Sequence, residues 1–100
     1  MAPSISTHVL DLARGEPARD IRVELYKGNV LISTQRTNTD GRISDLVQGT
    51  LEQGTYRLIF HVASPFFTRF EAEFAIADAA RHYHIPLLVS PYGCTTYRGS

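Results

Sequence analysis

The sequence predicts an all-β fold, a sandwich of two sheets built from seven to eight short strands. Three observations carry that prediction. Stretches such as Ile21-Arg22-Val23-Glu24-Leu25-Tyr26 alternate apolar and charged residues, the pattern of a half-buried antiparallel strand. Turn chemistry recurs at regular intervals between these stretches. No segment offers more than a turn of helix.

The strands follow in order. Ser4–Leu10 places Ile5, Thr7 and Val9 on one face and Ser6, His8 and Leu10 on the other. Arg14-Gly15-Glu16-Pro17-Ala18 reads as a turn, since glycine tolerates positive φ and proline fixes its own. Ile21–Tyr26 is the second strand, Lys27-Gly28-Asn29 a tight connection, and Val30–Arg36 the third strand. Asn38-Thr39-Asp40-Gly41 is a strong turn, and Ile43–Val47 reads as a short edge strand. Gly49–Gly54 is a loop. Thr55–Val62 turns Tyr56, Leu58, Phe60 and Val62 to one side, and Arg69–Ile76 does the same with Phe70, Ala72, Phe74 and Ile76. Ala75–Arg81 has room for one turn of helix at most. The last strand starts at His82 and runs through Pro86-Leu87-Leu88-Val89, before Pro91-Tyr92-Gly93 turns the chain into a terminal hairpin.

One hundred residues form one domain, here spanning 1–100, with no repeat, low-complexity segment or linker. Hydrophobic residues make up 43% and charged residues 20%, an ordinary globular balance. Ten basic residues offset ten acidic ones, so charge offers no case for nucleic acid or a charged membrane. No apolar run is long enough to span a bilayer, and residues 1–10 lack the pattern of a signal peptide. A lone Cys94 has no internal disulfide partner, which favours a reducing compartment. The expectation is a soluble, cytoplasmic protein.

The stretch with the most chemistry is His82–Ser100, HYHIPLLVSPYGCTTYRGS. It pairs two histidines, His82 and His84, at the head of an apolar run and ends on the polar tail Tyr97-Arg98-Gly99-Ser100. Each polar candidate has a plain reading when taken alone. A strand histidine such as His8 or His84 is more often a surface or hydrogen-bonded residue than a catalyst, and an arginine after a turn, such as Arg42, is usually only solvated. His61 has no motif around it.

Taken together they point further. Ser6-Thr7-His8-Val9-Leu10-Asp11, Thr37-Asn38-Thr39-Asp40-Gly41-Arg42 and the His82–Ser100 stretch resemble, in order, the three motifs of the 5-hydroxyisourate hydrolases, the transthyretin-related enzymes of purine catabolism. The resemblance spans nearly the whole chain. It implies a transthyretin-like two-sheet sandwich assembled as a homotetramer, with active sites in a channel at the dimer–dimer interface. The implied reaction is hydrolysis of 5-hydroxyisourate to 2-oxo-4-hydroxy-4-carboxy-5-ureidoimidazoline in urate degradation, without a cofactor. His8, Arg42 and His84 correspond to the family's catalytic residues, and Tyr97, Arg98, Gly99 and Ser100 to its pocket lining. Two departures stand out. The family's short helix between the strands at 55–62 and 69–76 has no counterpart here, where only Ala63–Thr68 bridge them, with Thr68 where Phe-Phe-Pro has its proline. Cys94 replaces a common tyrosine.

The residue types suit that chemistry. Histidine titrates near neutrality, so His8 or His84 can deprotonate a water while the other orients it or returns the proton; which does which stays open. Arg42 offers a fixed fork of donors to the substrate's carbonyls and to a developing oxyanion. The C-terminal carboxylate can orient a histidine, and His82 reads as a structural or supporting residue. Three rivals are weaker. Zinc on His8, His82 and His84 lacks a carboxylate partner at characteristic spacing. A small-ligand carrier on the same scaffold lacks this tail and the histidine–arginine set. A plain structural sandwich leaves the motif order without explanation.

Overall fold

The computed structural model of the protein describes residues 2–99, and these form ten strands and no helix. They are β1 (Ile5–Asp11), β2 (Glu16–Pro17), β3 (Arg22–Lys27), β4 (Val30–Arg36), β5 (Arg42–Ile43), β6 (Gly54–His61), β7 (Phe70–Ile76), β8 (Tyr83–His84), β9 (Leu87–Ser90) and β10 (Gly93–Thr96). One sheet runs β10-β9-β1-β2, with β5 and β8 also paired to β1; the other runs β4-β3-β6-β7. The expected all-β sandwich is what forms. No described helix is long and apolar enough to cross a membrane.

Alternation drives the layering. Ile5, Thr7 and Val9 of β1 face Val23 and Leu25 of β3 and Tyr56, Leu58 and Phe60 of β6 across a dry core, joined by Ile76, Tyr83, Ile85, Leu87 and Val89. Buried polar atoms are paired: Thr7 donates to the Ile85 carbonyl at 2.6 Å, and Thr37 Oγ1 donates to the Ala18 carbonyl and accepts from the Ile21 amide.

Three segments differ from the pattern reading. Ile43–Val47 is not a strand: only Arg42–Ile43 pair with β1, after which Leu46 and Val47 turn inward to plug the core. Burial, not edge pairing, explains those apolar residues. Glu16–Pro17, read as turn, return against Leu10 and Asp11 as a two-residue strand. The strand through His82–Val89 is interrupted at Ile85–Pro86, because proline has no amide to continue the ladder. Both of its halves, β8 and β9, lie parallel to β1. Between β6 and β7 the chain crosses without a helix, anchored where Ser64 Oγ donates to the Pro91 carbonyl at 2.7 Å.

Leu58 is fully buried at the centre of β6. Leu58→Ala is expected to lower unfolding free energy by about 2–5 kcal/mol, measured by denaturant titration.

Candidate active site

The site forms on the solvent face of β1. Alternation that sends Ile5, Thr7 and Val9 inward sends Ser6 and His8 outward. On one side β5 runs antiparallel and sets Arg42 opposite His8; on the other β8 runs parallel and sets His84 opposite Ser6. Neighbouring strands stand about 4.8 Å apart. Residues from three distant motifs therefore share one patch of one sheet.

Arg42 is held by its turn. Asn38 Oδ1 accepts from the amides of Asp40 (3.0 Å) and Arg42 (2.9 Å), while the Asn38 amide donates to the Arg42 carbonyl at 3.0 Å. Gly41 sits at φ +73° with its carbonyl accepting from Val9 N at 2.7 Å, and a Cβ there would come 2.5 Å from the Val9 carbonyl oxygen. Glycine is required at that approach. The Arg42 guanidinium is exposed, and no described carboxylate pairs with it.

His84 is half-buried, with Nδ1 2.8 Å from Ser6 Oγ; the same hydroxyl lies 2.8 Å from Nε2 of the exposed His82. Burial first, then the charges of Arg42, His8 and His82, hold the His84 pKa below its ordinary 6.5. His84 is consequently a neutral imidazole at neutral pH, free to accept a proton. Ser6 was not singled out from sequence. Its signal was there all the same, since it shares the outward face with His8.

The tail divides. Gly99 pairs with His84, its amide donating to the His84 carbonyl at 2.7 Å. A Cβ at Gly99 would lie 2.7 Å from His84 Cδ2, so only glycine lets the chain pass the ring. Arg98 stacks its guanidinium over the Tyr83 ring at 4.9 Å. Tyr97 and Arg98 line a cleft of about 240 Å³ against β7, with Phe74, Tyr83 and Ile85, rather than the histidine patch of this chain. Ser100, the remaining tail residue of the sequence reading, lies outside the described residues.

The other candidates are separate. His61 is on the opposite sheet, bonded to Glu24 at 2.5 Å and to Arg22. Cys94 is half-buried and burial pushes its thiol up, which disfavours a thiolate nucleophile. No set of three or more His, Cys, Asp or Glu side chains among the described residues is placed to hold a metal ion.

The sequence profile of the HIUase/Transthyretin family matches residues 5–99. The chain belongs to this family. Among HIUase/Transthyretin relatives, 5-hydroxyisourate hydrolase 2 of Rhizobium meliloti is 42% identical over 114 residues, covering 96% of this chain and 95% of its own. The 5-hydroxyisourate hydrolase of Deinococcus radiodurans is 39% identical over 98% of this chain and 97% of its own. An alignment of 114 positions that covers 96% of a 100-residue chain contains positions this chain lacks. The solved 5-hydroxyisourate hydrolase of Klebsiella pneumoniae superposes with a TM-score of 0.89 at 34% identity, covering 97% of this chain and 99% of the other. Sea bream transthyretin in complex with thyroxine superposes at 0.86 and 25% identity, over 95% and 93% of the two chains. Family members thus include both hydrolases and a thyroxine-binding protein on this one sandwich.

Two measurements check the site. In an NMR titration His84 should lose its proton below pH 6.5, and Arg42→Ala should move that midpoint upward by removing a repelling positive charge. Gly99→Ala should displace the His84 ring resonances and cost about 1–3 kcal/mol of stability.

Proposed function

We propose that the protein hydrolyses 5-hydroxyisourate, the step of urate degradation after urate oxidation, using His8, Arg42 and His84. The observation that carries this reading is the convergence of His8, Arg42 and a neutral His84 on one face, in a chain that matches 5-hydroxyisourate hydrolases along almost its whole length.

The chemistry follows from the groups. A neutral histidine takes a proton from water as the water oxygen bonds to the carbonyl carbon. Arg42 donates to the carbonyl oxygen as it becomes anionic. The acquired proton then passes to the ring nitrogen as the C–N bond breaks. General acid–base catalysis and oxyanion stabilisation each contribute roughly 10²- to 10³-fold or more. With its pKa held below 6.5, His84 is predominantly in its base form at pH 7. His8, across from Arg42, orients the water. No metal or other cofactor has a role in these steps.

A homotetramer completes the site in this reading. β7 and β10 are free sheet edges flanking the apolar cleft, and both offer unpaired backbone groups to another copy. Assembly would enclose the open histidine face in a channel at the dimer–dimer interface and bring the Tyr97–Ser100 tails of neighbouring copies to it. The half-buried Cys94, the one cysteine of the sequence, suits a cytoplasmic location.

The test uses 5-hydroxyisourate made freshly from urate and follows its absorbance with chelator present. Wild type should clear it well above the spontaneous rate, and His84→Ala and Arg42→Ala should each lose at least about 10²-fold in kcat while remaining tetrameric by light scattering. A wild-type rate equal to the spontaneous one would instead favour the small-ligand carrier, the role suggested by the thyroxine complex of the sea bream neighbour.

A further inference from the structure

Ser6 is a junction between two histidines. Its Oγ lies 2.8 Å from His84 Nδ1 and 2.8 Å from His82 Nε2. A serine hydroxyl holds one proton and accepts through its lone pairs, so it can donate to one ring while accepting from the other. The register builds this contact: Ser6 is the cross-strand partner of His84, and His82 stands two residues before it on the same side. The two rings differ in surroundings. His84 is half-buried and faces the charges of Arg42 from β5 and His8 from β1. His82 is exposed, and its charge acts only weakly on the Asp45 carboxyl, behind the hydrogen bonds from Ser4 Oγ and from the Gln48 and Val47 amides that hold that carboxyl below the ordinary range.

Resting on the hydrolase reading, we propose that Ser6 and His82 are positioning residues that form a proton relay behind His84. At rest His84 Nδ1–H donates to Ser6 Oγ and Ser6 O–H donates to His82 Nε2, which leaves the His84 Nε2 lone pair for water. As Nε2 takes the water proton and the water oxygen bonds to the carbonyl carbon, the Nδ1 proton moves to Ser6 and the Ser6 proton to His82. The positive charge then resides on the solvent-exposed His82 ring near Asp45 instead of on His84 beside Arg42. When the C–N bond breaks, His84 Nε2–H goes to the leaving nitrogen and the relay runs back. Water has been divided between the two product groups, and all three side chains return to their starting state.

The physical ground is the cost of a second cation. An imidazolium at His84 is opposed by lost hydration and by Arg42, both of which weigh less at an exposed ring with a carboxylate nearby. In this hydrogen-bond arrangement His84 Nε2 is the base, an assignment that the residue types alone left open.

The experiment pairs ¹⁵N NMR of the unliganded protein with kinetics on 5-hydroxyisourate. Above its titration midpoint, wild-type His84 should carry its proton on Nδ1, Ser6→Ala should release it to a mixture of tautomers, and Ser6→Thr should preserve it. Ser6→Ala and His82→Gln should each lower kcat about 10²-fold with KM unchanged, and His82→Gln should remove one ionisation from the kcat–pH profile. Ser6→Thr should restore the rate. An active wild type whose His84 is protonated on Nε2, or whose kcat survives both Ser6→Ala and His82→Gln, overturns the relay alone. A wild type no faster than the spontaneous decay overturns the hydrolase reading and the relay with it.

Discussion

Strand β1 is hydrogen-bonded along both edges, and everything of chemical interest hangs from those two ladders. On one side it holds β5 and β2 antiparallel; on the other it holds β8 and β9 parallel. Because side chains alternate strictly along a strand, one register decides two outcomes at once. It sends Ile5, Thr7 and Val9 into the core and presents Ser6 and His8 to solvent beside Arg42 and His84. A slip of one residue would exchange those faces, burying a histidine and exposing the core. The packing of the sandwich and the geometry of the site are therefore guarded by the same hydrogen bonds.

Around that strand, short local devices set individual side chains. The Asn38 side chain and Gly41 lock the backbone of Arg42 without restraining its guanidinium, which leaves the cation available to a ligand. Gly99 lets the tail lie directly on the His84 ring. Burial and neighbouring charge keep His84 neutral. Each device is modest in energy, and together they fix an imidazole and a guanidinium side by side on one face of the sheet. The short helix-free connection between β6 and β7 lies apart from this arrangement, since neither strand contributes to the histidine face.

Most strands were legible because their residues alternate: β3, β6 and β7 read directly from Ile21–Tyr26, Thr55–Val62 and Arg69–Ile76. Periodicity failed where a tertiary constraint replaced it. Leu46 and Val47 look like strand residues and are core plugs in an irregular segment. Glu16–Pro17 carry turn chemistry and still add to β1, because β1 offers an unpaired edge there. Pro86 divides a run that otherwise reads as continuous. At the candidate site, His8, Arg42 and His84 stand out through their motifs and Ser6 shares the outward face of β1 with His8, but the contact of Ser6 with both histidines comes only from strand pairing.

The sequence by itself determined the class of the fold, the faces of the long strands and the residue types that could do acid–base chemistry, because these depend on period-two alternation and on intrinsic pKa. Only the tertiary structure decided which residues meet. Residues 8, 42 and 84 are brought together by strand pairing, and the two histidines of the terminal motif are joined through a serine 76 and 78 positions away. The same packing turned Tyr97 and Arg98 towards the cleft beside β7 and lowered the pKa of His84. Strand register, desolvation and the distance between charges are properties of the assembled sheet, and no local pattern in the chain encodes them.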